Sequence, residues 1–380
     1  MNSSTANLLD LPDEMLIKIF NKLSNADVLN AILGANRQLD RLARDANFTQ
    51  SLDLTAEVSY NERCSISNDV LDRFCSYILP QIHDKINSLL VEPSSMQRIL
   101  CACTLPNLHQ LTLSSIESKD FIEYLSDNSS VLHIFKQITH LNISTIEYYN
   151  DKSQMNLNTN MYTRLFSVCQ RLTHLTIKGK HLRYCSLVPA YALPLTMCSS
   201  STIVKLDVNV RTIDDCLRLL DGRFNQMKIL NVKIDSIDTP LLNIDSQYIL
   251  PNLTTFFLST SNPTKQYDNV IVPLLRRMTN LKTLVLVLMV ENRPNFIDGA
   301  HLHQEVLIHM PRLKTFLFNI TTIDDAVEIN YWLKEDDIEE TMVFNDGLPY
   351  FQCRIDIFKN GIGRCRFCSM PFMKSFRLYY

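Results

Sequence analysis

The sequence predicts an α/β protein in which a short N-terminal unit of three helices precedes an irregular solenoid with parallel strands and a C-terminal cap. Three observations lead to this prediction. Apolar residues recur at helical spacing between residues 8 and 48. A strand-like pattern (apolar, two residues, apolar, one residue, apolar) recurs nine times between residues 86 and 318. Helical patterns separate several copies, so strands and helices alternate along the chain.

The composition is that of an ordinary globular protein, with 380 residues that are 46% hydrophobic and 20% charged. A formal net charge of -3 gives no electrostatic reason to expect nucleic acid as a partner. The longest apolar run, residues 284–290, is far shorter than the about 20 residues of a membrane helix. The first twenty residues also lack a secretory pattern. We therefore expect a protein of the cytoplasm, the nucleus or both, with no membrane partner.

Glycine is scarce, with seven residues against a usual level of roughly 7%. Phosphate-binding loops need glycine for close backbone approach, and the Gly-x-Gly at Gly361 to Gly363 lacks the third glycine of a dinucleotide fingerprint. The sequence therefore predicts no cofactor. The eleven cysteines are an odd number spread along the chain, which favours thiols in a reducing compartment.

A first helix is predicted from Pro12, which fits a first turn because its missing N–H needs no partner there. Asp13 and Glu14 follow, where the positive end of the helix dipole favours acidic residues. The apolar stripe of this helix comprises Met15, Leu16, Ile19, Phe20 and Leu23. Ile17 lies off the stripe, so at least two faces are apolar. This excess of apolar surface predicts a second partner; the alternative is a helix that only packs on the rest of the chain.

Two more helices complete the N-terminal unit. Ser24 or Asn25 is expected to cap the second helix, and Gly34 and Asn36 separate it from the third. The apolar residues of these two helices are Val28, Leu29, Ile32, Leu33, Leu39, Leu42, Ala43 and Ala46.

The run Leu-Pro-Asp-Glu-Met-Leu-x-x-Ile-Phe-x-x-Leu, from Leu11 to Leu23, resembles the signature of the F-box, and the resemblance covers residues 8–50. It implies docking on the Skp adaptor of a cullin-RING ubiquitin ligase, the SCF assembly. By motif position, the adaptor-binding residues are Leu11, Pro12, Met15, Leu16, Ile19, Phe20 and Leu23. Many family members carry Cys and Trp near the positions of Ala35 and Leu39, and this chain has neither.

Residues 51–320 carry the recurring strand pattern, with a further copy at Thr49-x-x-Leu52-x-Leu54. The middle apolar residues of the nine main copies are Leu89, Leu111, Leu141, Leu175, Leu206, Leu230, Phe256, Leu284 and Phe316. These copies resemble leucine-rich repeats, whose units stack because none buries its own apolar face. The family usually places Asn or Cys three residues after the third apolar position, and this chain does not. The array is most similar to the irregular repeats that follow an F-box in many substrate receptors.

One column of residues is expected to point outward, because it lies between the second and third apolar positions of each copy. It comprises Thr112, Asn142, Thr176, Asp207, Asn231, Phe257, Val285 and Leu317. Five members are polar and three are apolar, which suggests a contact surface anchored by Phe257 and Val285. The candidate substrate-binding residues are Asn142, Thr176, Asp207, Asn231, Phe257 and Val285. The alternative is that residues 340–380 fold back and cover this patch.

Residues 321–380 are expected to cap the last repeat. Strands are predicted at residues 342–344 and 353–357, separated by a turn at 345–347, and the acidic run 335–340 is expected to be solvated. Cys365-x-x-Cys368 has only Cys353 nearby, so structural cysteines are favoured over a zinc site and no metal is predicted.

The chain contains no Gly-x-Ser-x-Gly elbow, no His-Glu-x-x-His helix and no paired metal carboxylates. We therefore expect a non-catalytic protein. The resemblance implies the substrate-recognition subunit of an SCF ubiquitin ligase, which brings an unknown substrate protein to the Skp adaptor and the cullin-RING ligase. Two alternatives are a leucine-rich-repeat interaction scaffold without ligase activity and an enzyme whose site would be a deep polar pocket in the body.

Overall fold

The computed structural model describes residues 8–59, 62–145, 152–179, 199–242, 251–293, 295–324, 351–357 and 363–369. The chain divides into two compact units. Unit 1 comprises residues 1–148, 164–173 and 180–184, and unit 2 comprises residues 149–163, 174–179 and 185–380. Each unit contains a mostly parallel sheet with connecting helices, which confirms the predicted α/β class. None of the described helices combines the length and apolar character needed to cross a membrane.

Residues 8–50, which we call the hook, form four helices after a short 3-10 turn at Leu8–Asp10. They are α1 (Asp13–Phe20), α2 (Asn25–Ile32), α3 (Arg37–Ala43) and α4 (Ala46–Thr49). The prediction of three helices was wrong for the last one: the third helix ends at Ala43, and Ala46 begins a separate fourth helix. The Asp45 carboxylate accepts a hydrogen bond from the Asn47 N–H at 2.9 Å and so caps this fourth helix. Ser24 caps α2 in the same way, by accepting from the Asp27 N–H at 3.0 Å.

The rest of unit 1 is built on four parallel strands: β1 (Ser51–Asp53), β4 (Ser88–Val91), β5 (Gln110–Ile116) and β6 (His140–Thr145). A separate antiparallel hairpin consists of β2 (Thr55–Ser59) and β3 (Glu62–Ser65). A continuous helical segment runs through α5 (Asn68–Arg73), a π-helical stretch (Phe74–Ile78) and α6 (Leu79–Ile82). The remaining helices that lie wholly in this unit are α7 (Pro93–Leu100), α8 (Ser118–Tyr124) and α9 (Leu132–Gln137).

Unit 2 contains six parallel strands: β7 (His174–Gly179), β8 (Lys205–Thr212), β9 (Ile229–Ser236), β10 (Thr255–Thr260), β11 (Thr283–Glu291) and β12 (Thr315–Asp324). Its helices are α11 (Ile213–Leu219), a π-helical stretch (Tyr267–Ile271), α12 (Val272–Arg276), α13 (Gly299–Glu305) and a 3-10 turn (Leu307–His309). Helix α10 (Lys152–Val168) begins in unit 2 and ends in unit 1.

The strand pattern is in register, as the sequence predicts. The middle residue of each copy lies on a strand, and Phe256 pairs with Leu284, which pairs with Phe316. These three side chains are buried, whereas their neighbours in the outward column alternate to the other face. Apolar side chains at every second position therefore form the core of each sheet.

The C-terminal strands extend the edge of unit 2. Strand β14 (Gly363–Ser369) pairs antiparallel with β12, and β13 (Phe351–Ile357) pairs antiparallel with β14. The strand predicted at residues 353–357 is thus confirmed and is slightly longer than predicted. The predicted strand at 342–344, the turn at 345–347 and the acidic run at 335–340 lie outside the described residues.

Candidate functional site

The hook carries an apolar stripe on its surface, which we define as Leu9, Met15, Ile19 and Leu23. Their exposed fractions are 40%, 46%, 40% and 49%, respectively. Met15, Ile19 and Leu23 are spaced by four residues, so they lie on one face of α1 and the turn that follows it. Large apolar side chains that share a face and remain in water mark an interaction surface.

Two of the motif residues face the opposite way. Leu16 is fully buried and Phe20 is 2% exposed. The Phe20 ring packs edge-on against Phe48, with 6.2 Å between ring centroids. Leu11 is partly exposed and Pro12 is exposed. Of the seven residues assigned to the adaptor contact by motif position, Leu16 and Phe20 therefore form the core that holds α1, and the remaining five reach the surface.

Polar contacts fix the orientation of α1 against α3. Gln38 Nε2 donates to Asp13 Oδ1 at 3.0 Å, and Arg41 forms an ion pair with the same carboxylate. The hydrogen bond from Gln38, reinforced by the Arg41 charge, lowers the pKa of Asp13. The carboxylate thus remains charged and connects the first and third helices of the hook.

The hook is also joined to the helical segment that follows it in unit 1. Arg73 Nη2 donates to the Leu33 carbonyl at 3.0 Å, and its guanidinium lies 5.4 Å from the centre of the Tyr77 ring. Lys85 Nζ donates to the Arg44 carbonyl at 3.0 Å. These contacts hold the hook in a defined orientation within unit 1.

The outward column follows the strand ladder in both units. Thr112 pairs with Asn142 in unit 1. In unit 2 the pairing runs through Thr176, Asp207, Asn231, Phe257, Val285 and Leu317. The structure thus places the candidate substrate-binding residues of unit 2 side by side on one face of its sheet.

The face of unit 2 changes character along this row. Val285 is 7% exposed and packs with partly buried Phe257, Val287 and Leu317, which together we call the apolar patch. Towards β7 the face is charged: Lys178 Nζ lies 3.2 Å from Asp207 Oδ2. The same oxygen accepts a hydrogen bond from Asn231 Nδ2 at 3.5 Å.

A cluster of ionisable residues in unit 2 was not predicted from the sequence. Arg293 donates from Nε and Nη2 to both carboxylate oxygens of Asp268, at 2.9 and 3.2 Å. Its guanidinium also lies 5.8 Å from the centre of the buried Tyr267 ring, and Nη2 lies 3.1 Å from His301 Nδ1. Burial raises the pKa of Tyr267 and lowers that of His301. Because Arg293 is 13% exposed and its donors are engaged, this cluster fits a structural role.

The C-terminal strands carry three buried cysteines, two of which are in contact. Cys353 Sγ and Cys365 Sγ are 3.6 Å apart, and both residues are buried. Cys368 is also buried and pairs across the ladder with Asn319 and Gln352. Among the described residues, no three His, Cys, Asp or Glu side chains come together in a way that could hold a metal ion.

No family model matches this chain, and no curated protein matches it significantly. Its function is therefore inferred from its own sequence and geometry.

Proposed function

We propose that the protein is the substrate-recognition subunit of an SCF-type ubiquitin ligase. The hook docks on the Skp adaptor, and the sheet face of unit 2 binds the substrate protein. The protein itself carries out no chemistry, because ubiquitin transfer takes place on other subunits of the ligase. The observation that carries the proposal is the exposed apolar stripe of the hook, which falls within residues 8–50, the segment that resembles an F-box.

The stripe is large enough to anchor a partner protein but too small to supply the whole binding free energy. Burying the exposed half of one such side chain contributes on the order of 1 kcal/mol, so the four together contribute roughly 4 kcal/mol. Micromolar affinity requires about 8 kcal/mol. The interface must therefore also include neighbouring residues. Leu11 and Pro12, which directly precede α1 and reach the surface, are available for this contact. This is the usual organisation of an interface with a few apolar anchors and a wider rim.

The anchoring of the hook supports the receptor role further. Docking through the hook presents unit 1 in a defined orientation only when the hook is fixed to the rest of that unit. The contacts of Arg73 and Lys85 with hook carbonyls restrict the hook within unit 1. An interaction scaffold without ligase activity would require neither the stripe nor this anchoring.

A binding assay with matched variants tests the proposal. Ile19→Asp places a charge in the stripe, and Ile308→Asp makes the same change at an isoleucine of unit 2 that is 56% exposed. We expect wild type and Ile308→Asp to bind the purified Skp adaptor equally, and Ile19→Asp to bind at least about 100-fold more weakly. Thermal unfolding checks that both variants remain folded. Equal binding by Ile19→Asp and wild type would show that the stripe is not the docking surface.

A further inference from the structure

We infer that the sheet face of unit 2 binds an extended segment of a partner protein in which an anionic side chain precedes or follows a bulky apolar one by three or four residues. This inference deepens the proposed receptor role by naming the class of segment that is recognised. It rests on the positions of the charged and apolar side chains along the strand ladder.

Basic side chains outnumber acidic ones at one end of this face. Four basic residues occupy the outward rows of three strands: Lys178 on β7, Lys205 and Arg211 on β8, and Lys233 on β9. The acidic residues described in the same rows are Asp207 and Asp235. Lys178 forms an ion pair with the carboxylate of Asp207. Lys233 lies opposite Asn209, an uncharged residue of the neighbouring strand β8. The four basic side chains outnumber the two carboxylates and leave a net positive charge at this end of the face, which is complementary to an anionic group.

The apolar patch lies on the strands that follow the basic end of this face. Lys233 pairs with Ser259 on β10, and Ser259 pairs with Val287 on β11. Val287 and Val285 occupy the same strand and belong to the apolar patch with Leu317. The cationic and apolar parts thus lie on the same rows, two strands apart.

The distance between the basic side chains and the apolar patch corresponds to a spacing of residues in the bound segment. Neighbouring strands lie about 4.8 Å apart, so the two strand spacings between Lys233 and Val287 correspond to about 10 Å. An extended chain that crosses the strands advances about 3.3 Å per residue. About 10 Å corresponds to about three residues, and four is the next longer spacing that directs both side chains to the same face of the extended chain. An anionic side chain at Lys233 and an apolar side chain on the patch are therefore three or four residues apart. A carboxylate and a phosphorylated serine both supply the anion that this spacing requires.

Selection from a library of random twelve-residue peptides displayed on phage tests the inference, with the purified full-length chain as bait. We expect the enriched peptides to share an acidic residue three or four positions from Leu, Ile, Met or Phe. Lys178→Glu/Lys233→Glu should lose the acidic preference, and Leu317→Asp should lose the apolar one. Lys265→Glu, at an exposed lysine outside these strands, is the matched control and should select the same peptides as wild type.

Synthetic versions of the best peptide separate the sources of the anion. We expect peptides with glutamate or phosphoserine to bind at least about tenfold more tightly than the peptide with glutamine. Enrichment without a spacing preference, or equal binding of the glutamine peptide, would overturn the inference. Selection that succeeds only with a chain ending at Ser369 would overturn it too, since the C-terminal residues of the chain would then be the occupant. Adaptor binding is measured separately, so a failure of the proposed ligase role leaves this result readable.

Discussion

Gly34 lies directly against Tyr77: a Cβ atom built on Gly34 would come 3.2 Å from Tyr77 Cζ and closer still to the hydroxyl oxygen. The φ angle of Gly34 is +83°, a conformation that side chains with a Cβ disfavour. Gly34 lies in the turn that follows α2. Both its backbone conformation and the neighbouring Tyr77 ring restrict this position to glycine.

Gly34→Ala should therefore destabilise the protein. We expect a decrease in the free energy of unfolding of about 2 kcal/mol, of which 1 kcal/mol or more comes from the left-handed conformation. Urea unfolding measures the change. In a Tyr77→Ala background the steric part should disappear, so the same glycine substitution should cost less. An equal cost in both backgrounds would show that the ring does not restrict this position.

Phe20 and Ile19 should affect adaptor binding in different ways. Phe20→Ala removes a buried ring and should destabilise the hook by about 3 kcal/mol or more, so it should weaken binding by disordering α1. Ile19→Ala should weaken binding while leaving stability within about 0.5 kcal/mol. Amide hydrogen exchange of α1, measured beside the affinity, separates the two effects. Fast exchange in Ile19→Ala would contradict its placement on the surface.

Stability should fall as the pH decreases from 7 to 5, partly because of His301. Burial lowers the pKa of His301 and the Arg293 charge lowers it further, while Asp268, Glu305 and Asp298 oppose them more weakly. The unfolded chain, with a histidine pKa of about 6.5, takes up a proton that the folded site resists. The stabilisation is therefore present above about pH 6.5 and is lost as the pH falls below this value.

Urea unfolding between pH 5 and 7.5 measures this dependence. His301→Gln should show a shallower slope than wild type, because the histidine whose pKa burial lowers is then absent. The explanation fails if His301→Gln and wild type lose stability in parallel.

The Cys353 and Cys365 thiols should join when the protein meets a mild oxidant. With glutathione disulfide as oxidant, the two thiols form one disulfide and two glutathione thiols are released, because the sulfur atoms are already 3.6 Å apart. Mass spectrometry of peptides should find this pair, and Cys368→Ser should still form it. A link that involves Cys368 instead, or full alkylation of both thiols after oxidation, would contradict the geometry of the hairpin.

The strand ladder could be predicted from the sequence because alternating apolar positions carry their own register. Phe256, Leu284 and Phe316 pair as the pattern requires, and their outward neighbours follow automatically. The orientation of α1 could not be predicted in the same way. Its apolar residues are so broadly distributed that Phe20 and Ile19 are both candidates for burial, and the structure shows that Phe20 is the one packed against Phe48.

Two other features depend on contacts between distant residues. The cluster around Arg293 joins residues that are up to 34 positions apart in the sequence, from Tyr267 to His301, and none of them belongs to a local motif. The end of the hook depends on whether Asp45 caps a new helix or continues the old one, and both are compatible with its local sequence. Apolar periodicity therefore predicts the sheet, whereas polar contacts of this kind become visible only in three dimensions.

The most direct test of the central proposal is a calorimetric titration of the purified wild-type chain with the Skp adaptor. We expect a one-to-one complex with a negative heat-capacity change, because apolar side chains of the hook leave water on binding. A folded wild-type chain that shows no binding would contradict the receptor role and would leave an interaction scaffold as the function of the sheet.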